Sequence, residues 1–305
     1  MSILRTLAEL APTVEPTTAP TTAPTTAGML LLGVGLCMLA LLLAWFAGVF
    51  RRRSIEGPQR LALGIPAAPL FFVTMFGAGV WLFAQVAYFN FRATRFEAAN
   101  PGVKFSSDRL GSFDYAFLST VPFIVGFAAL TIGDRTAARG LVRRVGYSAA
   151  RIPRGLLAGV AAFPIVLLLM QGGGILLETF YQAIELEHPP AHELLSAMEQ
   201  VSPVARAMMI LGACLIVPMF EELLFRGHIQ TLCTRLSIAQ RNRWMAVLLT
   251  SALFAVMHPS WTAPLIFLLS LCIGYTYERT GNLWAAITIH ALFNISSTFT
   301  FLYVL

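Results

Sequence analysis

Met219-Phe-Glu-Glu-Leu-Leu-Phe-Arg-Gly227 follows directly on the apolar run Met208–Pro218, and two more apolar runs downstream carry similar intrusions, Phe254-Ala-Val-Met-His258 and His290-Ala-Leu-Phe-Asn294. Six polar side chains, Glu221, Glu222, Arg226, His258, His290 and Asn294, thus sit where apolar ones are the rule. Ionisable groups at membrane depth are costly, so they turn toward a protein interior and toward one another. Glu222 and Arg226, Phe254 and His258, and His290 and Asn294 are each four residues apart, the spacing that puts two side chains on one helix face. Three helices presenting carboxylate, imidazole and amide groups to one interior make a site for the chemistry of water.

Working outward, the 305 residues are 57% hydrophobic and 12% charged. A soluble domain carries about 25% charged residues, so the composition is that of a membrane protein. Apolar runs at roughly 28–50, 65–89, 115–132, 155–180, 203–220, 244–258, 262–277 and 284–305 predict an all-α fold, a polytopic bundle of about eight transmembrane helices, with the sixth and seventh runs short. The net charge is +6, and every basic residue but Lys104 is arginine. Arginines cluster in the short loops after the first, third and fifth runs, whereas Asn90–Asp114 is mixed in sign and Glu178–Glu199 holds Glu185, Glu187 and Glu193 with no Lys or Arg, so the excess sets topology rather than nucleic-acid binding. The arginine loops are expected to be cytoplasmic and both termini outside.

Three segments follow: a Thr/Pro-rich tail at 1–27 that cannot build a core, transmembrane helices at 28–202, and the polar-bearing core at 203–305. No cleavable signal peptide is expected, because the first long apolar run begins late. Cys37, Cys214, Cys233 and Cys272 are scattered and read as small apolar residues. Gly155 with Gly159, and Gly172-Gly-Gly174, predict close helix packing or a kink. His188 and His192 are separated by Pro189 and Pro190, which forbid a shared helix face and make them solvated loop residues. His228, beside Gly227, reads first as a structural histidine.

Adjacent helical residues point about 100° apart, so Glu221 and Glu222 cannot share one task. Glu222 precedes Arg226 in the favourable acid-before-base order and is assigned to an ion pair that limits the cost of two buried charges. Glu221 is then left to face the cavity as general base on a water molecule. His258 orients that water or relays its proton, and His290 and Asn294 offer donors to a developing oxyanion. Pro218 and Pro259 suit helices broken around a water-filled cavity. On straight helices starting at Trp244 and Trp284, His258 would lie about 21 Å and His290 about 9 Å from one membrane edge, so tilt or breaks must bring them together. The alternatives are a non-catalytic scaffold or immunity protein, in which the polar groups only tie helices together, and a proton-coupled transporter, for which the missing internal repeat is unfavourable.

Glu-Glu-x-x-x-Arg, Phe-x-x-x-His and His-x-x-x-Asn, in that order, resemble the CAAX protease and bacteriocin-processing (CPBP, or Abi) family of intramembrane endopeptidases. The resemblance spans about Val204 to Thr298 and includes Thr280-Gly-Asn-Leu-Trp-Ala-Ala-Ile-Thr-Ile-His290. It implies hydrolysis of a peptide bond within the membrane, with Glu221 and His258 activating water and His290 and Asn294 stabilising the oxyanion. The expected substrate is a membrane-associated peptide or protein, lipidated or not, alongside membrane lipids, and the expected location is a bacterial cytoplasmic membrane. Relatives are often labelled metalloproteases, and Glu221, His258 and His290 form a zinc-type His₂Glu set. With no HExxH helix present and Asn294 a poor zinc ligand, the glutamate mechanism asks less of the sequence, and no metal is expected to be required.

Overall fold

The computed structural model describes residues 25–51, 66–106, 109–136, 145–189, 193–235 and 243–303, and among these every regular element is helical. Most of the Thr/Pro-rich tail, several arginine-loop residues and His192 lie outside the described residues. The helices are α1 (Thr26–Phe46), α2 (Ala67–Ala99), α3 (Ser112–Leu118), α4 (Val121–Thr136), α5 (Ile152–Ala183), α6 (Glu193–Gln200), the long rod α7 (Pro203–Cys233), α8 (Trp244–Val256), α9 (Ala263–Thr280) and α10 (Leu283–Tyr303).

Among the described residues, six helical stretches are long and apolar enough to cross a membrane: α1, α2, α3–α4 together, α5 with the turn before it, α7 and α10. The two further runs of the expected eight are the short ones. With 13 residues, α8 spans about 20 Å at 1.5 Å per residue, short of a hydrocarbon core of about 30 Å. At 18 residues α9 is longer, but its last turns carry Glu278 and Arg279. Leu31, Phe46, Phe72, Phe83, Leu157 and Val256 face outward with 68–78% of their surface exposed. An apolar exterior on this scale suits lipid rather than water. The chain is an integral, multi-pass membrane protein.

Close packing holds the bundle together where glycines allow it. A Cβ on Gly155 would lie 2.4 Å from Trp284 Cβ, and one on Gly159 would lie 2.5 Å from Thr288 Cβ, so α5 and α10 meet backbone to backbone. The spacing of Gly155 and Gly159 therefore reports packing, which is what small residues four apart provide between membrane helices. One core joins the first helices to the last, with Leu70 of α2, Leu130 of α4 and Met170 of α5 packed together with Phe220 of α7, Phe254 of α8 and Ile287 of α10.

One loop is tied down and one loop reading changes. Asp114, only 3% exposed, accepts from Tyr88 at 2.6 Å, from Arg92 Nη2 at 2.9 Å and from the Gly111 N–H at 2.8 Å, so the start of α3 is fastened to α2. His188 is not solvated. Its side chain is 15% exposed, pairs with Glu178 at 3.0 Å and stacks on Trp261 at 4.9 Å. Tyr181 donates to the Trp261 carbonyl at 2.9 Å, so the loop after α8 is held from α5. Pro189 does forbid a helix here, but the chain folds back far enough to bury the ring.

Candidate active site

Rod α7 changes pitch twice. It is α-helical over Pro203–Leu211, π-helical over Gly212–Ile216, α-helical over Val217–Glu222, π-helical over Leu223–Gln230 and α-helical again to Cys233. Such widened turns concentrate at functional sites. The expected break at Pro218 is absent, and the helix runs through with an altered hydrogen-bond register instead.

Glu221 and Glu222 end the α-helical stretch just before the second π-helical one, and their environments differ as their angular separation requires. Glu222 has no exposed surface, whereas the Glu221 side chain is 15% exposed. Glu222 Oε1 accepts from Arg226 Nη1 at 3.1 Å and from His290 Nδ1 at 2.7 Å. Arg226, equally buried, also donates through Nη2 to Ser270 Oγ at 2.7 Å and to the Ser270 carbonyl at 3.1 Å. Its guanidinium carbon lies 4.9 Å from the centre of the Phe254 ring. Two opposite charges out of water are tolerable only with hydrogen bonds of this kind, and removing one partner of such a pair costs about 3–5 kcal/mol.

His290 stands between the two glutamates. Its Nδ1 faces the Glu222 carboxylate and therefore carries the hydrogen, while Nε2 is 3.8 Å from Glu221 Oε2. His258 lies in the turn after α8, with Nδ1 at 2.8 Å from the Phe254 carbonyl. That carbonyl can only accept, so in the neutral ring Nε2 is the acceptor nitrogen. The depth mismatch between the two histidines disappears at Phe254, whose ring lies 4.8 Å from His258 and 5.9 Å from His290. Glu221, Glu222, Arg226 and His290 thus form one connected cluster, which His258 joins across Phe254. Asn294, one turn after His290, directs its amide elsewhere, donating from Nδ2 to the Ala213 carbonyl at 2.7 Å.

The sequence pattern passed over several partners. Ser270 carries no charge and looks like any serine in an apolar run, yet it anchors Arg226. Phe254 opens the Phe-x-x-x-His motif, and it is the ring around which both histidines and the guanidinium gather. His228 is fully buried and places Nδ1 at 2.9 Å from the Leu223 carbonyl, a contact within its own helix. Four residues beyond Arg226, Gln230 donates to Glu278 at 2.8 Å, and Arg243 donates to the other oxygen of Glu278 at 3.1 Å. Glu278, an acid near the end of an apolar run, was the signal available for that second cluster.

Among the described residues no three His, Cys, Asp or Glu side chains are arranged to hold a metal ion. One nitrogen of each candidate histidine has a protein acceptor, Glu222 for His290 and the Phe254 carbonyl for His258, an orientation that suits either a water-activating or a metal-binding imidazole.

With that geometry in place, residues 203–296 match the family model described as type II CAAX prenyl endopeptidase, Rce1-like. This segment resembles that family. The match covers the whole candidate site, and the Rce1-like family is one of CAAX-protease-like membrane endopeptidases, as the ordered motifs implied. The chain is also similar to the UPF0177 protein YxdF of Lactococcus lactis subsp. lactis (strain IL1403), 34% identical over 95 residues. That match takes in 30% of this chain and 49% of the relative, so the chain spans about half the length of the curated protein it resembles. No solved structure matches.

Proposed function

We propose that the chain is an intramembrane endopeptidase in which Glu221 activates water to hydrolyse a peptide bond. The observation that carries this reading is the contrast between the paired glutamates. Glu222 is sealed and neutralised by Arg226, whereas Glu221 retains an opening and has His290 Nε2 at 3.8 Å, close enough for one water beside the pair to touch both. Glu221 takes a proton from that water, the oxygen attacks the carbonyl carbon, and a tetrahedral oxyanion forms. Asn294 supplies an N–H group toward that charge, His290 does so when its Nε2 is also protonated, and His258 Nε2 helps move the proton. The C–N bond then breaks as the amine nitrogen is protonated, leaving a carboxylate and an amine. General-base assistance contributes about 10²–10⁴ to such a rate. No step is routed through a metal ion.

The substrate is proposed to be a membrane-associated peptide or protein, with prenylated CAAX sequences as the first class to examine, on the Rce1-like match. The test is mass spectrometry of protein termini in membranes of cells expressing the wild type or Glu221→Gln at equal levels. New termini present with the wild type and missing with Glu221→Gln support the proposal. Identical termini in both would leave a scaffold role in its place.

A further inference from the structure

The rod α7 leaves one of its own carbonyls without a helical donor, and Asn294 meets it. In the π-helical turn the Val217 N–H reaches back five residues to the Gly212 carbonyl. The next residue, Pro218, has no N–H to give, so the Ala213 carbonyl is bypassed from both sides. A carbonyl at such a site needs a partner, and Asn294 Nδ2 provides one at 2.7 Å. The register is fixed from outside as well. Gly212 is pressed onto α3–α4, where a Cβ would lie 2.5 Å from the Ser119 carbonyl, and Cys214 Sγ is 3.9 Å from Thr298 Oγ1 of α10.

We propose that Pro218 is a positioning residue. By withholding an N–H from the Ala213 carbonyl, it leaves that carbonyl to orient the amide of Asn294. A carbonyl can only accept, so it selects the nitrogen end of the amide and rejects the flipped one. An amide nitrogen carries two hydrogens. With the first held by Ala213, the direction of the second is set, and that hydrogen serves the oxyanion beside His290. This step rests on the endopeptidase reading. The loss or misdirection of one oxyanion donor matters because its effect depends on geometry set before the reaction.

The experiment restores the missing N–H. Pro218→Ala, and Pro218→Val as a variant closer to proline in volume, are made in wild-type and Asn294→Ala backgrounds. The proteins are placed in phosphatidylcholine nanodiscs with ¹⁵N-labelled asparagine, the Asn294 side-chain signal being identified by its loss in Asn294→Ala. The expected result is two resolved, slowly exchanging amide hydrogens in the wild type, merged or fast-exchanging in both Pro218 variants. On an internally quenched farnesylated CAAX peptide, kcat falls at least about tenfold in the Pro218 variants with KM little changed. In the Asn294→Ala background the same substitution changes kcat less than about twofold, because the group it acts through is gone. An unaltered Asn294 signal in both Pro218 variants overturns the proposal. So does an equal loss of kcat in both backgrounds. Recovery of activity in the Asn294→Ala, Pro218→Ala double variant overturns it too, since Asn294 would then only fill the carbonyl. If the wild type leaves the peptide intact, the endopeptidase reading is what suffers on this substrate, and the side-chain signal still decides whether Pro218 orients Asn294.

Discussion

Glu222 and Glu278 are both glutamates without exposed surface, and each meets an arginine at 3.1 Å. They belong to one pair of polar stripes. On α7 the residues are Glu222, Arg226 and Gln230, and on α9 they are Ser270, Gly274 and Glu278, each set advancing by four. Arg226 bonds Ser270, and Gln230 bonds Glu278 at 2.8 Å and approaches the Gly274 carbonyl at 3.5 Å. The two ends of this ladder differ in how their carboxylates are satisfied. Glu278 is held at both oxygens, by an amide and a guanidinium. Glu222 takes both partners on Oε1, while Oε2 is buried without a hydrogen bond. A second carboxylate, Glu221, sits beside Glu222 with an imidazole 3.8 Å away. Burial of an acid therefore does not distinguish a lock from a site. What distinguishes them is an acid left under-satisfied beside groups able to move a proton.

The sharpest way to break this comparison is to neutralise Glu221 and Glu278 in turn. Glu221→Gln is expected to lower kcat by about 10²–10⁴, which corresponds to about 2.7–5.5 kcal/mol of transition-state stabilisation. Its melting temperature should match the wild type, because no ion pair is broken. Glu278→Gln should leave kcat within about threefold, since it touches no reacting group. Rates on a cleaved peptide, set beside thermal unfolding of the purified protein, decide the matter. Equal losses of rate would erase the distinction between the two ends.

Next in size is Glu222→Gln. It strips the charge from the partner of a fully buried guanidinium, a loss of about 3–5 kcal/mol for pairs of this kind. His290 also loses its carboxylate acceptor, so activity falls together with stability. A denaturant or thermal series should rank this variant well below Glu221→Gln. If the two proved equally stable, the division of labour between the adjacent glutamates would be wrong.

Smaller again is the stability cost of Glu278→Gln, about 1–3 kcal/mol. Arg243 is 16% exposed at its side chain and can turn toward water, an escape that Arg226 does not have. A loss as large as that of Glu222→Gln would mean that the two ends of the ladder are equally closed.

The pairing of Glu222 with Arg226 was legible because both partners lie on one helix, four residues apart and charged. Glu278 with Gln230 was less so, since the two are 48 residues apart and one of them is neutral. Most helix bounds were readable to within a few residues, but α2 and α7 run on to Ala99 and Cys233, well past their apolar runs. Whether a short apolar run crosses a membrane depends on where its caps fall, and α8 stops at Val256 ahead of Pro259. The two changes of pitch in α7 were hidden. A proline announces a missing donor, but not whether the helix breaks or shifts register around it. His188 misled because two prolines described its backbone correctly and said nothing of Trp261, which folds over it from a distant loop.

Ser270→Ala is the finest probe of the ladder. Ser270 supplies two of the acceptors that hold Arg226, the hydroxyl at 2.7 Å and the backbone carbonyl at 3.1 Å. The substitution removes only the hydroxyl and leaves a void of about one oxygen atom. Arg226 keeps Glu222, the carbonyl and the face of Phe254. A single hydrogen bond to a charged donor is worth about 1.5–3 kcal/mol, and the surviving carbonyl can take up part of that, so a net loss of about 1 kcal/mol is expected. The kcat should stay within about twofold, because the hydroxyl acts two contacts away from Glu221. The informative step is to combine Ser270→Ala with Glu222→Gln. If Ser270 and Glu222 restrain the same guanidinium, the double variant should lose more stability than the sum of the singles, as Arg226 is left with one carbonyl and a ring. Strict additivity in thermal unfolding would show that Ser270 stabilises α9 on its own account and that the ladder is not one connected unit.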